Sequence, residues 1–184
     1  MTTLVIILII VALVALAGVL LYNGLIRRRN QVENAWAQID VQLKRRLDLI
    51  PNLVETVKAY AAHERETLDA VINARNQAMS APSTPAAQGA ADTQLTGALR
   101  QLFALSEAYP DLKANQNFLA LQEELTATEG RVAYARQFYN DSVLTYNTKL
   151  DQFPTVFFAR MLNFSRREYF EADEAARQAP RLQF

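Results

Sequence analysis

Cysteine is absent from the 184-residue chain. Disulfides, thiolate metal sites and an acylated lipoprotein anchor are therefore excluded, while the compartment is left open. Histidine occurs once, as His63, and a helix-borne zinc site needs a second histidine one turn away. A Ser-His-Asp arrangement would have to use the same residue, and no serine motif lies near it. Only five glycines are present, with no Gly-rich loop to cradle a phosphate. Glu123-Glu124 is a carboxylate pair, but neighbouring helix positions point about 100° apart and do not converge. No catalytic residue, no cofactor-binding residue and no metal ligand can be nominated, so the expectation is a protein that is not an enzyme and carries no cofactor. Lys plus Arg and Asp plus Glu are 19 each. A balanced chain gives no electrostatic case for nucleic acid, and none is expected as a partner.

Charge is also missing from one end. All 38 charged residues lie beyond Ile26, and Leu4 to Leu21 is an apolar run of 18 positions. A helix rises about 1.5 Å per residue, so roughly 20 such residues cross a bilayer core of about 30 Å. Residues 1–3 read as a short tail and 4–26 as a transmembrane helix. Tyr22 falls at headgroup level, where tyrosine is favoured, and Arg27, Arg28 and Arg29 sit just outside. Ala15-Leu16-Ala17 has the pattern of a signal-peptidase site. However, no Lys or Arg precedes the run, and the run is longer than a secretory core, so a retained anchor is expected. The arginines place the remaining chain on the cytoplasmic side of the membrane, with one pass and with membrane lipid as a partner.

Scarce glycine and plentiful alanine, leucine, glutamine, glutamate and arginine favour helix. From Trp36 a heptad stripe runs through Ile39, Leu43, Arg46, Ile50, Leu53, Val57, Tyr60, Glu64, Thr67, Val71 and Ala74. With Leu47, Val54, Ala61 and Leu68 beside it, the stripe is three residues wide per heptad, as on a bundle helix. Pro51 removes one backbone donor, yet the stripe keeps phase across it. One kinked helix from Arg27 to about Ala78 is therefore expected. Residues 79–93, with Pro82, Pro85 and Gly89, read as a loop, and Asp92 as the cap of the next helix. That helix ends near Tyr109-Pro110, and a last long one ends at Phe153-Pro154.

Four charged residues stand on or beside apolar stripes: Arg46, Glu64, Glu129 and Arg136. They read as interhelical ion pairs that fix register, or as a polar seam open to a ligand. The segment beyond residue 154 is amphipathic. Phe157, Phe158, Met161, Leu162 and Phe164 form a candidate interaction surface, unless they pack in the core.

Several blocks together resemble the LemA family of bacterial membrane proteins. Tyr22-Asn23-Gly24-Leu25 is followed by Arg29-Asn30. Ala35-Trp36-Ala37-Gln38-Ile39-Asp40 leads through Asp48-Leu49-Ile50-Pro51-Asn52-Leu53-Val54 to Tyr60, His63 and Glu64. Glu107-Ala108-Tyr109-Pro110-Asp111-Leu112 precedes Phe118, Leu125, Thr128 and Glu129. Ala135-Arg136, Tyr139-Asn140 and Tyr146-Asn147 complete the set. The resemblance covers about residues 4–154 and implies an all-α protein: an N-terminal transmembrane helix followed by an up-and-down four-helix bundle with long helices. It also implies a reversal at Pro110, which sets Phe153 far from the membrane. The bundle core spans 27–154, and a C-terminal amphipathic helix and tail fill 155–184. No enzyme activity or cofactor is implied. The expected role is a scaffold or interaction protein that forms homo-oligomers or binds other membrane proteins, with a ligand sensor as the alternative.

Overall fold

The glycine-poor sequence is predominantly helical over the residues that the computed structural model describes, 1–170. Helix α1 spans Thr2–Lys58, α2 Arg65–Ser80, α3 Pro85–Ser106, α4 Pro110–Lys113, α5 Gln116–Asp151 and α6 Thr155–Met161. The fold is all-α, as expected. The chain divides into two compact units, and the last residues of the expected tail lie outside the described residues.

The larger unit contains residues 38–136. Four helical passes meet in one core there. Ile50, Leu53 and Val57 come from α1, Leu68 and Val71 from α2, Leu95, Leu99 and Leu102 from α3, and Phe118 and Leu125 from α5. Phe103 and Phe118, on opposite sides of the Pro110 turn, meet edge to face at 6.1 Å between ring centroids. That contact confirms the reversal expected at Pro110.

The helix expected from Arg27 to Ala78 is corrected. Helix α1 passes through Pro51 but stops at Lys58, and α2 starts at Arg65 and runs back. Two tight turns close the reversal, with Tyr60 N donating to Val57 O and Glu64 N to Ala61 O. The segment Ala59 to Glu64 holds no glycine or proline, so no local breaker announces it. Ala61 is buried in the core and happens to keep the stripe in phase. Proline at position 51 leaves the Leu47 carbonyl without its helical donor. Arg75 of α2 supplies one instead, with Nε donating to Leu47 O at 3.1 Å. The returning helix therefore supports the helix that proline would otherwise weaken.

The loop expected over 79–93 is also shorter. Helix α2 continues to Ser80, and α3 begins at Pro85 behind the N-cap Thr84, whose hydroxyl accepts from Ala87 N. Proline is well placed at the first helical position, where no donor is needed. Asp92 is thus not a cap but an interior residue of α3, and it is buried.

The smaller unit contains residues 1–37 and 137–168. Leu25, Val32 and Ala35 of α1 are buried there, as are Tyr139, Val143, Tyr146 and Leu150 of α5. Trp36 packs on Tyr139 at 5.5 Å between centroids. By contrast, residues Leu4 to Leu20 keep their large side chains more than half exposed. A core helix of a soluble domain would bury them; a helix surrounded by lipid would not. The expectation that Phe153 lies far from this helix is overturned. Helix α6, just beyond Phe153, brings Phe158 against Gly18, where a Cβ would meet the ring at 3.4 Å. The unforeseen reversal at Ala59–Glu64 adds one pass to the chain, and the extra pass returns the end of α5 to α1.

Candidate functional site

The most demanding group in the molecule is Arg46. Its position on the α1 stripe carries it into the core of the larger unit, where its side chain is 2% exposed. Burying a guanidinium without a partner would be very costly. Asp92 answers it from α3, with Arg46 Nη1 donating to Asp92 Oδ1 at 2.6 Å. Glu129 of α5 stands 3.7 Å from Nη2 and is half-exposed, an ion pair without a hydrogen bond. The cluster thus joins α1, α3 and α5. Arg46 Nε, also buried, has no hydrogen-bond partner. Nearby on the surface, Glu124 of α5 bridges Arg45 at 2.6 Å and Arg131 at 3.5 Å.

The other nominated charges lie elsewhere. Glu64, at the α1–α2 reversal, accepts a hydrogen bond from the Tyr109 hydroxyl at 2.8 Å. Beside it, Asn115 donates to the Tyr60 hydroxyl at 2.9 Å. The two bonds tie the α1–α2 turn to the turns on either side of α4. The hydrogen bond to Glu64 favours the protonated phenol and raises the Tyr109 pKa, with burial and the Glu64 charge acting in the same direction. Arg136 lies over the Phe170 ring, 4.6 Å from its centroid, in a cation–π contact. So the structure joins Arg46 to Glu129 and places Glu64 and Arg136 in separate settings. His63 is exposed on the reversal. Among the described residues, no group of three or more His, Cys, Asp or Glu is arranged to hold a metal ion.

Sequence reasoning missed Asp92, which it assigned to a cap, and Arg75. A signal for Asp92 did exist. An acid inside an alanine- and leucine-rich segment needs a buried cation, and Arg46 was the one basic residue on a stripe.

In the smaller unit the residues nominated as membrane-flanking are partly engaged. Arg29 pairs with Glu33 at 3.8 Å and lies 5.9 Å from the Phe164 ring centroid, while Tyr22 meets Phe164 edge to face at 6.0 Å. Arg27 and Tyr22 are exposed, and Arg28 is half-buried. The extended segment after α6 is strapped to α5. Tyr146 donates to Ser165 O, and Tyr139 to Glu168 O. Asn147 both donates to Arg167 O and accepts from Arg167 N, each at 2.9 Å. Burial raises the pKa of both tyrosines, against the opposing charge of Arg167. The candidate interaction residues divide: Phe158 and Phe164 are half-buried on α1, whereas Phe157, Met161 and Leu162 are exposed.

Among the described residues, one helix long and apolar enough to cross a membrane, joined to helical passes whose nominated polar groups find partners within the larger unit, defines a membrane-associated all-α protein. The chain belongs to the LemA family, whose sequence profile matches residues 35–184. The match extends beyond the blocks noted above to the end of the sequence. Protein LemA of Metamycoplasma hominis is 27% identical over 158 residues, covering 84% of this chain and 71% of the relative. Magnetosome protein MamQ of Magnetospirillum gryphiswaldense is 26% identical over 193 residues, covering 90% of this chain and 71% of the relative. Magnetosome protein MamQ 2 of Paramagnetospirillum magneticum is 25% identical, with the same shares covered.

Proposed function

We propose that the chain is a membrane-anchored scaffold of the bacterial inner membrane, crossing it once and holding its larger unit in the cytoplasm. It works by associating with further copies of itself and with other membrane proteins, and not by catalysis. The observation that carries this reading is the use made of the charged groups. Arg46, Asp92 and Glu129 tie three helices together, and Glu64 and Tyr109 tie two turns. Groups with the chemistry for a reaction thus serve as internal fasteners. Meanwhile Val41 and Tyr134, on α1 and α5, remain exposed at 59% and 72%. Large outward apolar side chains on rigid helices suit protein contacts. The names of the relatives agree with this. One is named for the family alone and others for the magnetosome, and a scaffold adapts to different settings more readily than a fixed active site does.

The test is photo-crosslinking in native membranes with the probe at Val41 or Tyr134, followed by pull-down. Adducts with a second copy or with a discrete membrane protein are the expected outcome. A chain that stays monomeric and captures nothing from either position would refute the scaffold.

A second reading, a membrane-tethered sensor or ligand-binding module, draws on the buried Arg46 Nε and Thr128 Oγ1, neither of which has a hydrogen-bond partner. It differs in one outcome. A folded Arg46→Met/Asp92→Leu variant keeps its crosslinks if the cluster is a fastener, and loses them if the cluster reports a ligand.

A further inference from the structure

The end of α5 and the helix that follows are turned inside out relative to a water-soluble surface. Phe153, Phe157 and Met161 recur at four-residue spacing and are 80%, 65% and 70% exposed, with Leu162 beside them. The residues turned inward, Thr155 and Ala159, are small and buried. Phe153 and Phe157 touch edge to face at 6.0 Å between centroids. Water would oppose such a stripe, since exposed apolar surface of this extent is unfavourable in it.

The neighbours of this stripe set its level along α1. Phe158, on the inward side, packs against Gly18. Phe164 packs against Tyr22 and under Arg29. Gly18 lies about 6 Å from Tyr22 towards the middle of the apolar run, and about 13 Å from Arg27. Interfacial helices sink roughly 5–10 Å below the headgroup boundary. Helix α6 therefore lies at the depth where lipid chains surround α1. It is held there by the strap from α5, through Tyr146 and Asn147. Charge agrees with this level. The smaller unit has seven Lys and Arg (Arg27, Arg28, Arg29, Lys149, Arg160, Arg166 and Arg167) against four Asp and Glu (Glu33, Asp141, Asp151 and Glu168). An excess of cations suits anionic headgroups.

We propose that α6 is a second, non-spanning membrane contact. Phe153, Phe157, Met161 and Leu162 enter the acyl region of the leaflet from which α1 emerges, and exposed Arg160 lies at the headgroups with its stem along the apolar boundary. The inference rests on the reading that α1 crosses the membrane. Lipid is the occupant because the stripe continues the apolar surface of the span at its own depth. The protein then grips one leaflet at two places, which restrains tilt of the smaller unit in a way that a single span does not.

The test uses the full-length protein in vesicles of phosphatidylcholine and phosphatidylglycerol. Its lack of cysteine allows single nitroxide labels at Phe157→Cys, Met161→Cys, Ile10→Cys on the span and Ser83→Cys on the α2–α3 loop. Access of oxygen relative to a water-soluble nickel complex reports immersion. The expected result is a ratio several-fold higher at positions 157 and 161 than at 83, approaching that at 10. Lipid-like access at position 10 with water-like access at both 157 and 161 would overturn the proposal and leave the span intact. Water-like access at 10 as well would overturn the span reading and the proposal with it. Spin–spin broadening at 157 that disappears on dilution with unlabelled protein would also overturn it, by showing a second copy on the stripe. The two α6 positions are both exposed, so failure of one label to report leaves the other to decide.

Discussion

Asp92→Ala in the full-length protein is expected to destabilise the larger unit by about 3–5 kcal/mol, because it strands Arg46 in the core. For a chain of this length, that corresponds to a melting temperature roughly 6–20 °C lower. The magnitude follows from the geometry. Arg46 is 2% exposed, its short bond runs to Asp92, and Glu129 at 3.7 Å is too far for a hydrogen bond. Glu129 is also half-exposed, so its charge is screened by water and can replace little of the loss. Arg46→Met/Asp92→Leu should recover most of the stability or exceed the native value, since replacing both members of a buried ion pair by apolar groups is often neutral or better. Thermal unfolding in detergent micelles, followed by circular dichroism, checks both variants. A single Asp92→Ala variant as stable as the native protein would show that water already reaches Arg46. A double variant as unstable as the single one would show that the pair contributes more than charge compensation. The pair's value, on this view, lies in register: it permits one arrangement of α1, α3 and α5 and penalises slipped ones.

Phe118→Ala is the second large effect, expected to cost about 3–5 kcal/mol. The ring is 1% exposed at the start of α5 and meets Phe103 edge to face. Its removal takes away burial, leaves a cavity that the rigid passes cannot close, and forfeits an aromatic contact of about 0.5–1.5 kcal/mol. The neighbouring Leu119 is 46% exposed, and Leu119→Ala should stay within about 0.5 kcal/mol of native. Equal losses at the two positions, measured by the same unfolding experiment, would contradict the placement of the core.

Much of this architecture could be read from residue patterns, and the failures have a common cause. The long apolar helix, the helix ends near Pro110 and Pro154, and the core faces of α3 and α5 follow from apolar runs, proline and periodicity. The reversal at Ala59–Glu64 was not legible, because no glycine or proline marks it and Ala61 continues the stripe. It is held instead by Tyr109 and Asn115, residues about 50 positions away in sequence. Periodicity reports which face is apolar, not whether the helix that bears it is continuous. The same limit hid the site. Arg46 stands out as a charge on an apolar stripe, but the stripes do not identify its partner. The surrounding Pro, Ser and Gly make Asp92 read as the end of a loop, whereas Pro85 starts the helix that carries Asp92 into the core. Pro51 reads as tolerated within the helix, and the donor that replaces its missing N–H comes from Arg75, on a helix that the sequence pattern does not separate from α1.

The motif residues of the fourth block gained a role in the same way. Tyr139, Tyr146 and Asn147 read as ordinary helix positions. In the structure they fasten the extended segment 163–168 and, through it, the outward stripe of α6. The aromatic C-terminal segment was open to core packing, subunit contact or membrane contact. Its half-buried rings pack on α1, and its exposed ones are those that the proposed lipid contact would use.

The anchored arrangement is tested most directly by labelling from the two sides of the membrane. A single cysteine at Ser83, exposed between α2 and α3, is introduced into the otherwise cysteine-free chain and challenged with a membrane-impermeant maleimide. Labelling in inverted inner-membrane vesicles, with none in intact spheroplasts until the membrane is opened, is the result expected of one span with the larger unit in the cytoplasm. Labelling in intact spheroplasts would contradict it and place that unit on the opposite face.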